Sequence, residues 1–67
     1  MENEGRIRVL IADDHAVLRA GLRLLLDAQP DMLVVGEAET AEQAVALDCR
    51  LQPDVLLMDL TLPASSE

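Results

Sequence analysis

Pro53-Asp54-Val55-Leu56-Leu57-Met58-Asp59-Leu60-Thr61-Leu62-Pro63 sets four consecutive apolar residues between two acids. The reading of this stretch decides the fold. A short run that is apolar at every position, rather than at every second one, fits a strand of a parallel sheet covered on both faces. Val55–Met58 is read as such a strand, ended by Asp59, with Leu60-Thr61-Leu62-Pro63 as loop and Ala64–Glu67 as a polar tail. Upstream, Pro53 and Asp54 stop a helix over Ala41–Leu51. Its stripe is Ala44, Leu47 and Leu51, with Val45 and Cys49 beside it, and Cys49 is expected to pack as a small hydrophobe. Thr40-Ala41-Glu42-Gln43 is a capping box that starts this helix. Before it, Met32-Leu33-Val34-Val35 reads as a second short strand, closed by Gly36.

The N-terminal third repeats the alternation. Met1–Gly5 is a polar leader. Ile7-Arg8-Val9-Leu10-Ile11-Ala12 is β-branched and apolar, a strand that Asp13-Asp14 ends. His15–Gln29 is helical, with Leu18, Leu22, Leu25 and Leu26 on one stripe. Arg19, Arg23 and Asp27 recur every four residues on another face and are read as solvated. Asp14 stands where an N-cap would, and Pro30 ends the helix. The order β-α-β-α-β implies parallel strands joined by helical crossovers. A helix of about 14 residues spans about 21 Å, close to the roughly 20 Å of a six-residue strand. Strand order 1-2-3 and order 2-1-3 both satisfy this pattern. The second fits the flavodoxin-like arrangement and places a topological switch point between strands one and three.

Composition narrows the function. Sixty-seven residues allow one small domain or part of one. Thirteen acids face five bases, for a net charge of -8, and the chain has no aromatic residue. Phosphate contacts need cations and base stacking needs aromatics, so this chain is expected to make no nucleic-acid contact. Half the residues are hydrophobic (51%), which argues against disorder. One cysteine excludes an internal disulfide. That lone thiol, with an acidic start unlike a secretory leader, points to the cytoplasm. No apolar run approaches the roughly 20 residues of a membrane span.

Under the 2-1-3 layout, Asp13, Asp14 and Asp59 meet at the carboxyl ends of adjacent strands. Two like charges about 4 Å apart repel by roughly 4 kcal/mol at an effective dielectric near 20, so three carboxylates in one crevice ask for a cation or a proton. Oxygen ligands without a His or Cys cluster favour Mg²⁺ over Zn²⁺. Singly, Asp14 also reads as a helix cap and Asp59 as a turn residue. His15 reads as an exposed helix-start residue. The glycines form neither a dinucleotide fingerprint nor a P-loop. Asp59-Leu60-Thr61 fails a haloacid-dehalogenase-type motif, which needs a second Asp where Thr61 stands.

Four segments carry a family resemblance: Val9-Leu10-Ile11-Ala12-Asp13-Asp14-His15, Val17-Leu18-Arg19-Ala20-Gly21-Leu22, Val34-Val35-Gly36-Glu37-Ala38 and Pro53 to Pro63. Together they resemble the receiver domains of two-component response regulators, most of all the LuxR/NarL class of transcriptional regulators. The resemblance runs from Arg6 to Pro63. It implies a partial flavodoxin-like (CheY-like) α/β fold in which Asp59 is the phospho-acceptor, phosphorylated by a sensor histidine kinase. It also implies that Asp14 binds Mg²⁺ directly, that Asp13 acts through a metal-bound water, and that Thr61 lends its backbone carbonyl to the metal. A full receiver continues with two strands and three helices that supply a Thr or Ser, a Lys and an aromatic switch residue. The expectation is therefore a truncated receiver over residues 1–67, ordered over about 6–63, without the C-terminal half and without a DNA-binding domain. Two alternatives stand beside the phospho-acceptor, which is itself not an enzyme. One is a self-associating module that pairs through Val55–Met58 as a homodimer or strand-exchanged oligomer. The other is a small Mg²⁺-dependent phosphatase-like enzyme.

Overall fold

The computed structural model describes residues 5–65, so the expected leader before Gly5 and the last two residues of the tail lie outside the described part. Five elements follow in order: β1 (Ile7–Ala12), α1 (Ala16–Asp27), β2 (Met32–Ala38), α2 (Ala41–Leu51) and β3 (Val55–Met58). The strands form one parallel sheet in the order β2-β1-β3. The expected 2-1-3 layout is the one adopted. Val9–Ala12 of β1 are buried, as a central strand with both faces covered must be.

Alternation along β1 divides the core into two layers. Val9 and Ile11 point to one face and pack with Val34, Ile7 and the α1 residues Leu22 and Leu26. Ala12 points to the other face and packs with Ala38, Ala44, Leu47 and Leu62. The helices therefore cover opposite faces of the sheet. Leu22 and Leu26 of the α1 stripe reach the core, while Leu18 and Leu25 are exposed. The stripe is wider than the strip of sheet beneath it.

Several local expectations are corrected. The second strand does not close at Gly36 but runs on to Ala38. Its register slips between Val9 and Leu10, where Val34 and Gly36 take consecutive partners and Val35 is left over. Gly36 is needed for close approach rather than for a turn. A Cβ there would lie 2.9 Å from Leu51 Cδ1 and 3.2 Å from Leu10 Cδ1. Helix α1 begins at Ala16, not His15, and ends at Asp27. His15 is its N-cap residue, with no capping side chain, so Asp14 is not the cap. Its carboxylate is instead free to face the site. Cys49 is exposed, because Ala44, Leu47 and Leu51 take the inward face of α2.

Helix α2 starts as its sequence indicates. Thr40 Oγ1 accepts a hydrogen bond from Gln43 N–H, while Gln43 Oε1 turns back to accept from Glu39 N–H. Two further N–H groups of the first turn, those of Ala41 and Glu42, donate to the carbonyls of Pro63 and Ala64. The segment after Asp59 is thus tied to α2 through Ala64, one residue beyond the expected ordered part. At the other end, Gln52 adopts a left-handed conformation (φ 50°), and its N–H closes on the Asp48 carbonyl. The chain can then turn at Pro53 into β3.

Candidate functional site

Strands β1 and β3 run side by side and parallel, with Ala12 opposite Met58. The residues that follow each strand therefore emerge at the same edge. Asp13 N–H donates to the Ala38 carbonyl and Asp59 N–H to the Ala12 carbonyl, so the ladder continues one step past both strands. This continuation brings the acids together. One ligand atom each from Asp13, Asp14, His15 and Asp59 lies within 4.8 Å of all the others.

Each acid is held differently. Asp13 is almost fully buried, and its Oδ1 accepts from His15 N–H and lies 2.8 Å from His15 Nδ1. The backbone bond from His15 is the largest influence holding the Asp13 carboxyl below its ordinary range, followed by the imidazole. Asp59 has a side chain one-fifth exposed (20%). It receives both the N–H and the hydroxyl of Thr61 at 3.0 Å. The Thr61 hydroxyl thereby fixes the rotation of the Asp59 carboxylate, a contact not foreseen from sequence. Asp14 is the more open acid, with a side chain 39% exposed.

His15 stands inside the acidic cluster although its ring is 61% exposed. Its Nδ1 is 2.8 Å from Asp13, 3.2 Å from Asp14 and 3.5 Å from Asp59. The hydrogen bond to Asp13, then the charge of Asp14, push the His15 pKa up. When protonated, the imidazole places a positive charge among the three converging carboxylates. The same oxygens suit a hard cation. Asp13, Asp14 and Asp59 would supply the oxygen ligands that such a cation prefers.

Beneath the acids, Ile11, Leu18, Leu22, Leu57 and Met58 line an apolar groove between α1 and β3. Beside them lies an ion-pair network. Arg19 is not solvated as its spacing suggested. Its side chain is 15% exposed, its Nε donates to Glu37 Oε1 at 2.9 Å, and its Nη1 donates to the Asp13 carbonyl at 2.6 Å. Arg23 bonds the other Glu37 oxygen. Burial works against charge on Glu37, but the bonds from Arg23 and Arg19 outweigh it and hold its pKa down. The sequence signal for this network was the pair Glu37 and Glu39, acids at the end of a strand that a helix covers.

A family model described as the response regulator receiver domain matches residues 9–66. The chain belongs to the response-regulator receiver family. Its relatives include the transcriptional regulatory protein LiaR of Bacillus subtilis, 52% identical over 56 residues, which are 84% of this chain and 26% of LiaR. The nitrate/nitrite response regulator NarL of Escherichia coli is 43% identical over 63 residues, 94% of this chain and 29% of NarL. The receiver thus spans between a quarter and a third of these relatives. Among solved structures, the response regulator domain of Thermotoga maritima CheB superposes with a TM-score of 0.84 at 46% identity. That match covers 87% of this receiver and 43% of the CheB chain. No helix among the described residues is long and apolar enough to cross a membrane.

Proposed function

We propose that this receiver is a phospho-acceptor: Asp59 takes a phosphoryl group from the phosphohistidine of a sensor histidine kinase. Asp13, Asp14, Asp59 and the Thr61 backbone carbonyl would hold Mg²⁺. The observation that carries this reading is the convergence of carboxylates from two adjacent strand ends within 4.8 Å at the switch point of the sheet. In the transfer, an Asp59 oxygen bonds to phosphorus as the phosphorus–nitrogen bond to the kinase imidazole breaks. The electron pair leaves with that nitrogen. When bound, Mg²⁺ offsets the charge of the incoming phosphoryl oxygens.

The chain's own residues bind and orient. Thr61 holds the Asp59 carboxylate, whose partial exposure leaves it within reach of a donor. His15 and Asp13 order the loop that carries Asp14. One group is accepted per chain, so the module is a substrate of phosphotransfer rather than an enzyme. We place it in the cytoplasm, in a protein that regulates transcription, in keeping with its relatives' names. The net charge of -8 leaves nucleic-acid contact to other parts of such a protein. Incubation with acetyl phosphate and Mg²⁺, read by intact mass and peptide mapping, tests the reading. A phosphorylated Asp59 that Asp59→Asn abolishes is expected, and modification that survives Asp59→Asn would defeat it.

A second reading has its own support. All four residues of β3 are exposed along an open sheet edge. Such an edge is a template for another strand, so the 67-residue chain is also read as a homodimer or strand-exchanged oligomer through Val55–Met58.

A further inference from the structure

We propose that Arg19 is a positioning residue for the metal site, setting the direction of Asp14 by gripping the peptide group that precedes it. The inference rests on the Mg²⁺ reading above. The Asp13 carbonyl belongs to the planar peptide that joins Asp13 to Asp14, so whatever fixes that oxygen fixes the plane from which Asp14 departs. Arg19 Nη1 donates to that oxygen at 2.6 Å. The guanidinium is itself held by Glu37 at 2.9 Å and by Glu39 at 3.5 Å, so its fork spans from the end of β2 to the end of β1. Its own backbone N–H donates to the His15 carbonyl, one turn into α1. Only 15% of the side chain is exposed, and Asp13 is buried. Arg19 is thus a half-buried brace behind the acids, and its ion-pair partners are Glu37 and Glu39.

Electrostatics and positioning give opposite signs here. Arg19 is a cation close to an acidic cluster. Were charge its whole influence, removing it would tighten the binding of another cation. Were it the brace of Asp14, removing it would weaken that binding, as loss of residues that orient metal ligands typically does by 10- to 100-fold. Lysine keeps the charge but offers one compact donor in place of a planar fork, so it cannot serve Glu37 and the Asp13 carbonyl with the same geometry.

The test is a Mg²⁺ titration of the full chain, read by the backbone amide resonances of Asp13, Asp14, Asp59 and Thr61. These report only folded molecules, so loss of stability alone does not move the dissociation constant. Arg19→Gln and Arg19→Lys are each expected to raise the dissociation constant about 10-fold. Arg23→Gln removes a cation from the same network without touching Asp13 and is expected not to raise it. Should Arg19→Gln fail to fold, Arg19→Lys decides. Binding as tight as wild type, or tighter, in the folded Arg19 variants overturns the inference and leaves the metal site standing. Absence of saturable shifts in the wild type, or unchanged binding in Asp14→Ala, overturns the site and the inference with it.

Discussion

His15 connects the acidic cluster to pH. Its pKa is raised above its ordinary 6.5 by Asp13 and Asp14, so its stabilising effect is complete below 6.5 and is lost as pH rises through the raised value. Asp13 is lowered from 3.8 by the His15 bonds, so its effect is complete above 3.8 and is lost as pH falls through the lowered value. Without metal, the contributions of these two groups are both complete between 3.8 and 6.5. Thermal unfolding across pH should show this, and His15→Gln should remove the decline on the alkaline side. If the decline persists in His15→Gln, another group is responsible. Mg²⁺ bound as proposed would neutralise the carboxylates that face the imidazole, so a proton-resonance titration of His15 should give a lower pKa with Mg²⁺ than without it. The acids themselves were legible, because strand ends and topology suffice to bring Asp13, Asp14 and Asp59 together. His15 and Arg19 were not. A single His carries no periodic signal, and four-residue spacing grouped Arg19 with the more exposed Arg23 and Asp27, although α1 lies against β2 at that position.

At the scale of elements, two glycines behave oppositely. Gly36 lies under α2, where an added Cβ meets Leu51, Leu10 and Leu47, while a Cβ on Gly21 of α1 meets open space. Gly36→Val should therefore destabilise by about 1–3 kcal/mol through overpacking. Gly21→Ala should stabilise by about 0.5–1 kcal/mol, because glycine loses more freedom on entering a helix. Urea unfolding of the two variants measures both, and equal effects would contradict the packing described for Gly36. The same residue explains why β2 was read too short. A glycine after an apolar run is a common strand terminator, and sequence alone does not show that a helix presses on this one. Helix α2 was legible to the residue because its signals are local: Thr40 caps it, and Pro53 with Asp54 stops it.

For the whole molecule, the open edge of β3 specifies how a second copy would join. Asp59 N–H donates to the Ala12 carbonyl on β1, and successive residues of a strand turn their N–H and C=O groups to alternate sides. Val55 and Leu57 thus face β1, and Leu56 and Met58 present their groups to the open side. Two antiparallel copies related by a two-fold axis must also place residues of the same face opposite each other. A register that meets both conditions sets Leu56 opposite the partner's Met58, and the reverse. It closes a hydrogen-bonded pair on each side of the axis and leaves Leu57 facing its own copy. Asp59 then stands opposite Val55, so no two acids directly oppose each other. A non-hydrogen-bonded pair of this kind has Cα atoms about 4.5 Å apart, within the range that a disulfide bridges. In a Cys49→Ser background, which removes the exposed native thiol, Leu57→Cys should cross-link into a dimer under mild oxidation. Leu56→Cys, whose own copy lies two residues away along the partner strand, should cross-link far less. Each chain carries a net charge of -8, so added salt should strengthen association by screening the repulsion between copies. A species that sediments at monomer mass into the high micromolar range at moderate salt would sink the dimer altogether. Preferential cross-linking through Leu56→Cys would keep the dimer and displace its axis from Leu57.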